Sequence, residues 1–326
     1  MKPLTEHWRV KKLKNNIAKS VINNKNYSPL NNHYLFADPR GGSTWLTEMV
    51  QKITNEPIIW EPLHLNRKSS PFKALNFDWR QYIPEDETWE SAKNSFNLLF
   101  KGKVLNDGVL YHSTFKQCLT SSSLLFNICR GSGLIPWLTK NYDFHYKPIH
   151  LIRHPFAVVS SQLRHGGWSQ HKFTQFNIPE TPYNQYYIEH SEFLKSLKSI
   201  EQVMVAMWCI SNLRTLNNKR NNCDWITINY ENLILNPYEI MNIILDQWHN
   251  DYDISQLDFF KNSKTTKDDS PKSKEKRITH WEKNLSETQK KDMGTVLDYF
   301  NVTHYAKDNP YPIEPFITKN IEQNKI

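Results

Sequence analysis

The sequence lacks the patterns that mark several common classes of protein. Its four cysteines form no C-x-x-C pair and have no paired histidines, which argues against a zinc site and against a disulfide framework. No segment reaches the ~18 apolar residues of a membrane-spanning helix. Lys11, Lys12 and Lys14 interrupt any apolar stretch that could serve as a signal peptide. We therefore expect a cytoplasmic protein with reduced cysteines, no bound metal and no membrane span.

A uniformly basic surface is also missing. The chain has 41 Lys and Arg residues against 33 Asp and Glu residues, for a net charge of +8. Residues 1–25 carry +6 and residues 261–278 carry +4, so the remainder of the chain carries −2. Because the body has no excess of positive charge, the composition argues against nucleic-acid binding and favours a smaller anionic ligand.

A glycine-containing loop between a predicted strand and a predicted helix is the most informative segment that is present. The apolar residues 33–37 predict a buried strand. Apolar residues recur about every 3.6 positions from Trp45 to Ile53, which predicts a helix that begins near Ser43. A strand, a tight turn and a helix N-terminus together form a nest of backbone N–H groups that suits an anion.

The side chains of this loop also favour a phosphate site. Gly41 and Gly42 let the backbone approach an anion closely. Ser43 and Thr44 add hydroxyl donors, and Arg40 adds a positive charge. The Walker pattern is not met, because no lysine precedes Ser43 and no glycine stands five residues before Gly42. A tight turn without a ligand is the structural alternative.

A second candidate phosphate contact follows another predicted strand. Residues 147–153 predict a strand that ends at Arg153, and Pro155 suits the first turn of the next helix. Ser161 would then lie two turns into that helix, where it and Arg153 converge on one phosphate. A surface ion pair is the alternative role for Arg153.

The remaining periodicity predicts an α/β fold. Strands are also predicted at residues 58–60, 123–129 and 225–230. Helices are predicted near 88–100, 134–138, 156–163, 200–216, 237–248 and 286–300, the last opened by a capping box. The alternation of strands and helices predicts a three-layer α/β/α architecture with a central parallel sheet.

The domain organisation follows from where this alternation begins and ends. We expect one domain over residues 31–305, with a C-terminal tail at 306–326. Residues 1–30 form either a weak amphipathic helix or a mobile basic arm. Residues 66–123 are predicted to be mostly helical and residues 164–199 to be a long polar loop, and both are expected to contact the acceptor substrate.

The two candidate phosphate elements resemble those of one enzyme superfamily. Residues 39–46 resemble the P-K-S-G-T-T-W-L loop by which sulfotransferases hold the 5′-phosphosulfate of 3′-phosphoadenosine 5′-phosphosulfate (PAPS). Arginine replaces the lysine and glycine replaces the serine, as in the bacterial and carbohydrate-directed branches. Residues 151–161 resemble the R-x-P-x-x-x-x-x-S element that holds the 3′-phosphate of PAPS. The resemblance implies the P-loop NTPase-like sulfotransferase fold.

Two later segments agree with this resemblance. Residues 230–237 are similar to the Y-E-D-L…N-P segment, whose tyrosine lies near the adenine. Residues 277–286 are similar to the W-K-x-x-L-S segment, although the R-K-G triplet of the cytosolic branch is absent. The resemblance implies these donor-binding residues: Arg40, Gly41, Gly42, Ser43, Thr44, Trp45, Arg153, Ser161, Tyr230 and Arg277. For Trp45, packing in the core is the alternative.

The implied reaction is transfer of a sulfuryl group from PAPS to a hydroxyl or amine of a small-molecule or glycan acceptor. Arg40 would neutralise charge on the leaving 5′-phosphate without a metal ion. Glu61 is the expected general base, because it ends a predicted strand and its E-P context resembles the strand-end glutamate of related enzymes. His64 is the alternative base, and a salt bridge to Arg40 or Arg67 is the structural alternative for Glu61.

Two other functional classes compete with this interpretation. A P-loop-type kinase would turn over ATP with Mg²⁺, and a non-catalytic nucleotide or polyanion binder would show salt-sensitive binding without transfer. The sequence leaves open the acceptor, the choice between O- and N-sulfation, and the oligomeric state.

Overall fold

The computed structural model describes residues 4–67, 70–166, 176–255, 257–259 and 273–316. Within its first helix, side chains are described from Leu13 onward. The predicted basic segment at 261–278 therefore lies outside the described residues up to position 272. The same holds for residues 167–175 of the predicted polar loop and for residues 317–326 of the predicted tail.

A five-stranded parallel sheet forms the centre of the molecule. The described strands are β1 (His33–Ala37), β2 (Ile58–Trp60), β3 (Leu125–Cys129), β4 (Ile149–Ile152) and β5 (Ile226–Asn229). They lie in the order β2-β3-β1-β4-β5, and every neighbouring pair is parallel. The predicted parallel sheet is therefore confirmed.

Predicted strand ends differ from the observed ones by one or two residues. Strand β3 begins at Leu125 rather than at residue 123; the N–H of Leu124 donates to the side-chain oxygen of Asn32. Tyr230, predicted as the end of a strand, is the first residue of a helix.

The helices connect these strands. The described α-helices are α1 (Leu4–Asn24), α2 (Ser43–Thr54), α3 (Glu90–Phe100), α4 (Phe115–Thr120), α5 (Ile135–Asn141), α6 (Pro155–His165), α7 (Gln185–Glu189), α8 (Ser191–Ser196), α9 (Ile200–Leu216), α10 (Tyr230–Leu235), α11 (Pro237–Gln247), α12 (Lys274–Asn284) and α13 (Glu287–Tyr299). Short 3₁₀ helices span Pro29–Asn31, Pro71–Leu75 and Ser132–Leu134. The predicted capping box at the start of α13 is present, with Ser286 and Gln289 bonded reciprocally.

The two faces of the sheet are covered by different helices. Successive side chains of a strand point to opposite faces. In β1, Tyr34 and Phe36 pack in one apolar cluster with α3 and α5. Leu35 and Ala37 pack in a second cluster with α2 and α11. A third cluster joins α6, α9 and α13. The predicted three-layer α/β/α architecture is confirmed.

The segment 66–123 is not mostly helical, and that prediction is wrong. Within residues 66–67 and 70–123, which the structure describes, the helices are α3, α4 and one 3₁₀ helix. The rest is irregular chain held by side chains: the Gln81 amide, for example, donates to the carbonyl of Pro182 at 2.6 Å. Prolines such as Pro71 and Pro84 lack the N–H that would continue a helix. The second half of the predicted polar loop contains α7 and α8.

Some features were not found in the part of the chain that the structure describes. None of its helices combines the length and the apolar character needed to span a membrane. Among the same residues, no group of three or more His, Cys, Asp and Glu side chains is placed to hold a metal ion. All four cysteines are free thiols, and Cys223 is the exposed one.

Candidate functional site

The strand order brings chemically active residues to one edge of the sheet. In open parallel sheets, ligands bind at the carboxyl ends of the strands, where the chain switches direction across the sheet. Here β3 and β4 follow each other in sequence but lie on opposite sides of β1, so the switch in direction lies at β1. The residues that follow the five strands at this edge are Arg40, Glu61, Arg130, Arg153 and Tyr230.

The loop after β1 is tightly built around two glycines. The N–H of Gly41 donates to the carbonyl of Asp38 at 2.9 Å, which closes the turn. Gly42 has φ 98° and is the N-cap of α2. A Cβ atom on Gly42 would lie 2.4 Å from the ring of Tyr230. The tyrosine ring therefore lies directly against the loop, and position 42 has no room for a side chain.

Gly42→Ala is expected to damage both the fold and the loop. The substitution adds the cost of a positive φ, roughly 1–2 kcal/mol, and a steric overlap with Tyr230 that costs about 1–3 kcal/mol more. Gly166→Ala is the matched control, because Gly166 also has a positive φ of 80° but nothing lies within 4 Å of its added Cβ. Urea unfolding should show a clearly larger decrease in the free energy of unfolding for Gly42→Ala than for Gly166→Ala. Equal losses would mean that Tyr230 does not pack on the loop.

The residues predicted to bind the donor meet at this loop. The Arg40 Nε donates to the Ser161 Oγ at 3.2 Å. The guanidinium of Arg153 donates to the carbonyl of Arg40 at 3.1 Å and to the carbonyl of Arg277 at 3.2 Å. It also lies 4.4 Å from the centre of the Tyr230 ring. Four segments far apart in sequence therefore converge on one place, where Arg153 contacts three of the other residues.

Arg40 and Arg153 bring two positive charges close together at this site. Burial lowers the pKa of Arg40, and repulsion from Arg153 and Arg164 lowers it further. Among the described residues, neither Arg40 nor Arg153 forms an ion pair with a carboxylate. The Nε of Arg153 is buried without a hydrogen-bond partner. Such a site is suited to an anion with several acceptor oxygens.

A buried carboxylate stands beside the cluster, but its oxygens are already bonded. Glu231 accepts hydrogen bonds from the N–H of His154 and from the hydroxyl of Tyr305, both at 2.9 Å. Burial raises its pKa, although these hydrogen bonds and Arg153 oppose that shift. Glu231 thus orders the start of α6 next to Arg153. Its place directly after Tyr230 was the only sequence signal for this role.

Two hydrogen bonds that hold the site in place could not be predicted from the sequence. The amide of Gln162 donates to the carbonyl of Pro39 at 2.9 Å, and the indole of Trp208 donates to the carbonyl of Arg153 at 3.2 Å. Both bonds hold the backbone of a candidate donor-binding segment. They connect α6 and α9 to the site, so they depend on how the helices pack.

The first residues of α2 have mixed roles. Ser43 is buried, and its hydroxyl lies 3.7 Å from the sulfur of Cys129. The Trp45 side chain is buried and packs near Phe259, with 6.1 Å between the ring centres. This agrees with the packing role that was the alternative for Trp45. Thr44 is the second residue of α2.

Glu61 lies on the other side of the loop, at the end of β2. Its carboxylate is 3.6 Å from the guanidinium of Arg130, which is the ion pair that the structure shows. The structural alternative for Glu61, a salt bridge to Arg40 or Arg67, named other arginines than the one observed. Arg67 instead donates to the backbone carbonyl of Glu61 at 3.1 Å. Arg130 directly follows β3, so strand pairing rather than sequence proximity creates the contact.

His64 is close to Glu61 but differently placed. Its ring packs edge-on against Trp79, with 5.0 Å between the ring centres. Its Nδ1 is buried without a hydrogen-bond partner. Burial lowers the pKa of His64, and Arg67 lowers it further, whereas Glu61 opposes the shift. The imidazole is therefore neutral at neutral pH and able to accept a proton.

Strained backbone is concentrated at these same positions. Among the described residues, ten that are not glycine have a positive φ, and four of those are asparagines, which tolerate this conformation. Arginine and glutamate tolerate it less well, yet Arg40, Glu61, Arg80 and Arg130 have φ values between 45° and 69°. Clusters of such strain are typical of functional sites, where the backbone aims a side chain.

Comparison with known proteins shows a similarity to solved structures of low sequence identity. No family model matches the sequence, and no curated protein matches it. The chain is similar to the sulfotransferase domain of the curacin biosynthetic pathway, with a TM-score of 0.45 and 15% identity over 84% of this chain and 99% of the other. It is also similar to the sulfotransferase domain of the Synechococcus PCC 7002 olefin synthase, with a TM-score of 0.43 and 17% identity over 85% and 96%.

A third neighbour is the mouse sulfotransferase SULT7A1, solved as a complex with PAP. Its TM-score is 0.42, with 12% identity over 89% of this chain and 90% of the other. The three solved structures are thus all sulfotransferases. Because their TM-scores are below 0.5, the function of this chain has to be inferred from its own residues.

Proposed function

We propose that this protein is a PAPS-dependent sulfotransferase, which transfers a sulfuryl group to a hydroxyl or amine of an acceptor. The observation that carries the proposal is the pair Arg40 and Arg153 at the glycine loop. The two side chains lie together without a carboxylate partner among the described residues, and the Nε of Arg153 is buried and unbonded. A ligand with two separate anionic groups would supply the missing acceptors.

The donor-binding roles follow from the positions of these groups. Arg40 and the N-terminus of α2, with Ser43 and Thr44, would bind the 5′-phosphosulfate, because a helix N-terminus favours negative charge. Arg153 and Ser161 would bind the 3′-phosphate, since Arg153 precedes α6, Ser161 lies two turns into it, and both are bonded to Arg40. These roles agree with the motif resemblance of residues 39–46 and 151–161.

Two further residues complete the proposed donor site. Tyr230 lies against Gly42 and Arg153, where its ring would border the nucleotide. Arg277 lies next to Arg153, to which its carbonyl is bonded, and its cationic side chain would assist with the 3′-phosphate.

The proposed chemistry is an in-line displacement at sulfur. The acceptor oxygen or nitrogen attacks the sulfur, and the bond from sulfur to the 5′-phosphate oxygen breaks with its electron pair. Arg40 stabilises the negative charge that develops on that leaving oxygen. Glu61 accepts the proton that the acceptor loses, as a general base at the end of β2. His64 is the alternative base, because its neutral ring lies close to Glu61.

Ligand binding tests the proposal directly. Adenosine 3′,5′-bisphosphate should stabilise the folded protein by about 2.7 kcal/mol at a concentration one hundred times its Kd. ATP with Mg²⁺ should stabilise it much less, because ATP lacks the 3′-phosphate that Arg153 would bind. Thermal unfolding at matched ligand concentrations measures the difference.

Transfer of radiolabelled sulfate from PAPS to a panel of hydroxyl and amine acceptors then tests the reaction itself. Equal thermal shifts from both nucleotides, together with Mg²⁺-dependent turnover of ATP, would favour a kinase. Stabilisation by the bisphosphate without transfer to any acceptor would favour a non-catalytic nucleotide-binding protein.

A further inference from the structure

A second group of arginines lies near Glu61 and Asp38, apart from the pair at the glycine loop. Arg130 lies 3.6 Å from the Glu61 carboxylate, and Arg67 donates to the carbonyls of Trp60 and Glu61. Arg80 comes from the irregular segment between β2 and α3, and its Nε lies 3.8 Å from Asp38. Three guanidinium groups therefore meet at the carboxyl ends of β1, β2 and β3.

The nearby carboxylates do not satisfy these cations. The contacts of Arg130 with Glu61 and of Arg80 with Asp38 are both longer than a hydrogen bond. One oxygen of Asp38 already accepts the amide of Asn212 at 2.6 Å. The Nε of Arg80 is buried and has no hydrogen-bond partner.

Two of these arginines lie close enough to repel each other. Burial lowers the pKa of Arg80, Asp38 opposes this shift, and Arg130 lowers the pKa further. Arg80 and Arg130 also have positive φ values of 63° and 66°. Strained backbone thus holds two like charges near each other, an arrangement that a bound anion would stabilise.

An aromatic surface lies beside these cations. The guanidinium of Arg130 lies 4.7 Å from the centre of the Trp79 ring, and His64 packs on the edge of the same ring. Trp79 is only partly buried. A ligand could therefore place a flat or apolar part against Trp79 and an oxyanion against Arg80 and Arg130.

We infer that the acceptor is itself an anion, with a carboxylate or sulfate group that Arg80 and Arg130 bind while Glu61 faces its reacting hydroxyl or amine. This inference rests on the proposed sulfotransferase function. It adds a class of acceptor, and it makes Arg80 and Arg130 residues that determine specificity.

Binding of matched probes to the full chain tests the inference. The carboxylate pair is phenyl β-D-glucuronide and phenyl β-D-glucoside, and the sulfate pair is N-acetylglucosamine 6-sulfate and N-acetylglucosamine. Each is titrated into protein saturated with adenosine 3′,5′-bisphosphate. In at least one pair the anionic member should bind at least tenfold more tightly than its neutral partner. The pair that shows the preference distinguishes a carboxylate from a sulfate ligand.

Substitutions then assign the preference to the two arginines. Arg80→Gln and Arg130→Gln should each reduce the preference for the anionic over the neutral probe to less than about threefold. The affinity for adenosine 3′,5′-bisphosphate should change little. Arg130→Lys keeps the charge without the planar fork and should retain part of the preference. Arg220→Gln is the control, because Arg220 pairs with Glu85 and Asp224 away from the strand ends.

The outcomes separate this inference from the proposed function. If the bisphosphate binds but neither anionic probe is preferred, or if the preference survives both substitutions, the inference is overturned and the donor site stands. If the bisphosphate itself does not bind, the proposed function fails, whatever the probes show.

Discussion

Glu61→Gln is expected to lower kcat by at least ~10²-fold, as loss of a general base does. Glutamine is close in size and can still hydrogen-bond, but it does not accept a proton at neutral pH. Because Glu61 lies after β2 and not at the glycine loop, the affinity for PAPS should change by less than about threefold, which is under 0.7 kcal/mol. Steady-state transfer of radiolabelled sulfate should show the loss in kcat and kcat/KM together, as for an interaction made mainly in the transition state.

Two comparison variants are needed to interpret this result. Glu85→Gln is the matched control, because the Glu85 carboxylate also pairs with an arginine, at 3.1 Å from Arg220. Its kcat should remain near that of the unmodified protein. If His64→Asn shows the large loss and Glu61→Gln stays active, the base is His64. If neither variant changes turnover, the base lies elsewhere and Glu61 serves only as the ion-pair partner of Arg130.

Arg153→Ala is expected to weaken binding of ligands with a 3′-phosphate by roughly 1.5–3 kcal/mol, the contribution of hydrogen bonds to a charged group. This corresponds to about 10- to 150-fold in Kd. The affinity for adenosine 5′-phosphosulfate, which lacks the 3′-phosphate, should fall by less than about threefold. Calorimetric titration of adenosine 3′,5′-bisphosphate and of the phosphosulfate measures both effects.

The structure provides a stringent control for this variant. Arg214 also stacks on tyrosines, at 4.5 Å from the Tyr82 ring and 4.1 Å from the Tyr186 ring. Arg214→Ala removes a similar side chain and should leave both affinities unchanged. Because Arg153 also bonds to the carbonyl of Arg40, equal losses for the two nucleotides would mean that it acts only by supporting the loop.

Local sequence patterns were sufficient for much of the framework. Strands β1 and β2 and helix α9 were predicted with the observed bounds. Their signals are local, since an apolar run, a helical period and a capping residue each report on neighbours in the chain. The segment 66–123 was mispredicted because its irregular chain is held by distant partners, such as Pro182 for Gln81.

The contacts within the candidate site also could not be predicted from local sequence patterns. Arg40, Arg153 and Ser161 were selected from motifs, but the sequence did not indicate that Arg40 would bond directly to Ser161 and Arg153. Arg130 was not among the ion-pair partners considered for Glu61, because β2 and β3 pair between residues 67 positions apart in sequence. The positive φ of four charged residues could not be predicted either, since glycine and asparagine are the residues expected in that conformation.

The sequence by itself therefore determined the parallel α/β architecture, the glycine loop at the first strand, and the residue types that make that loop suitable for an anion. The tertiary structure decided which charges meet. Strand order places Arg130 beside Glu61 and Arg153 beside Arg40, and the irregular chain between β2 and α3 brings Arg80 beside Asp38. The physical reason is that periodicity and capping are local properties of the chain, whereas an electrostatic site depends on distances between segments that only packing of the sheet and helices sets.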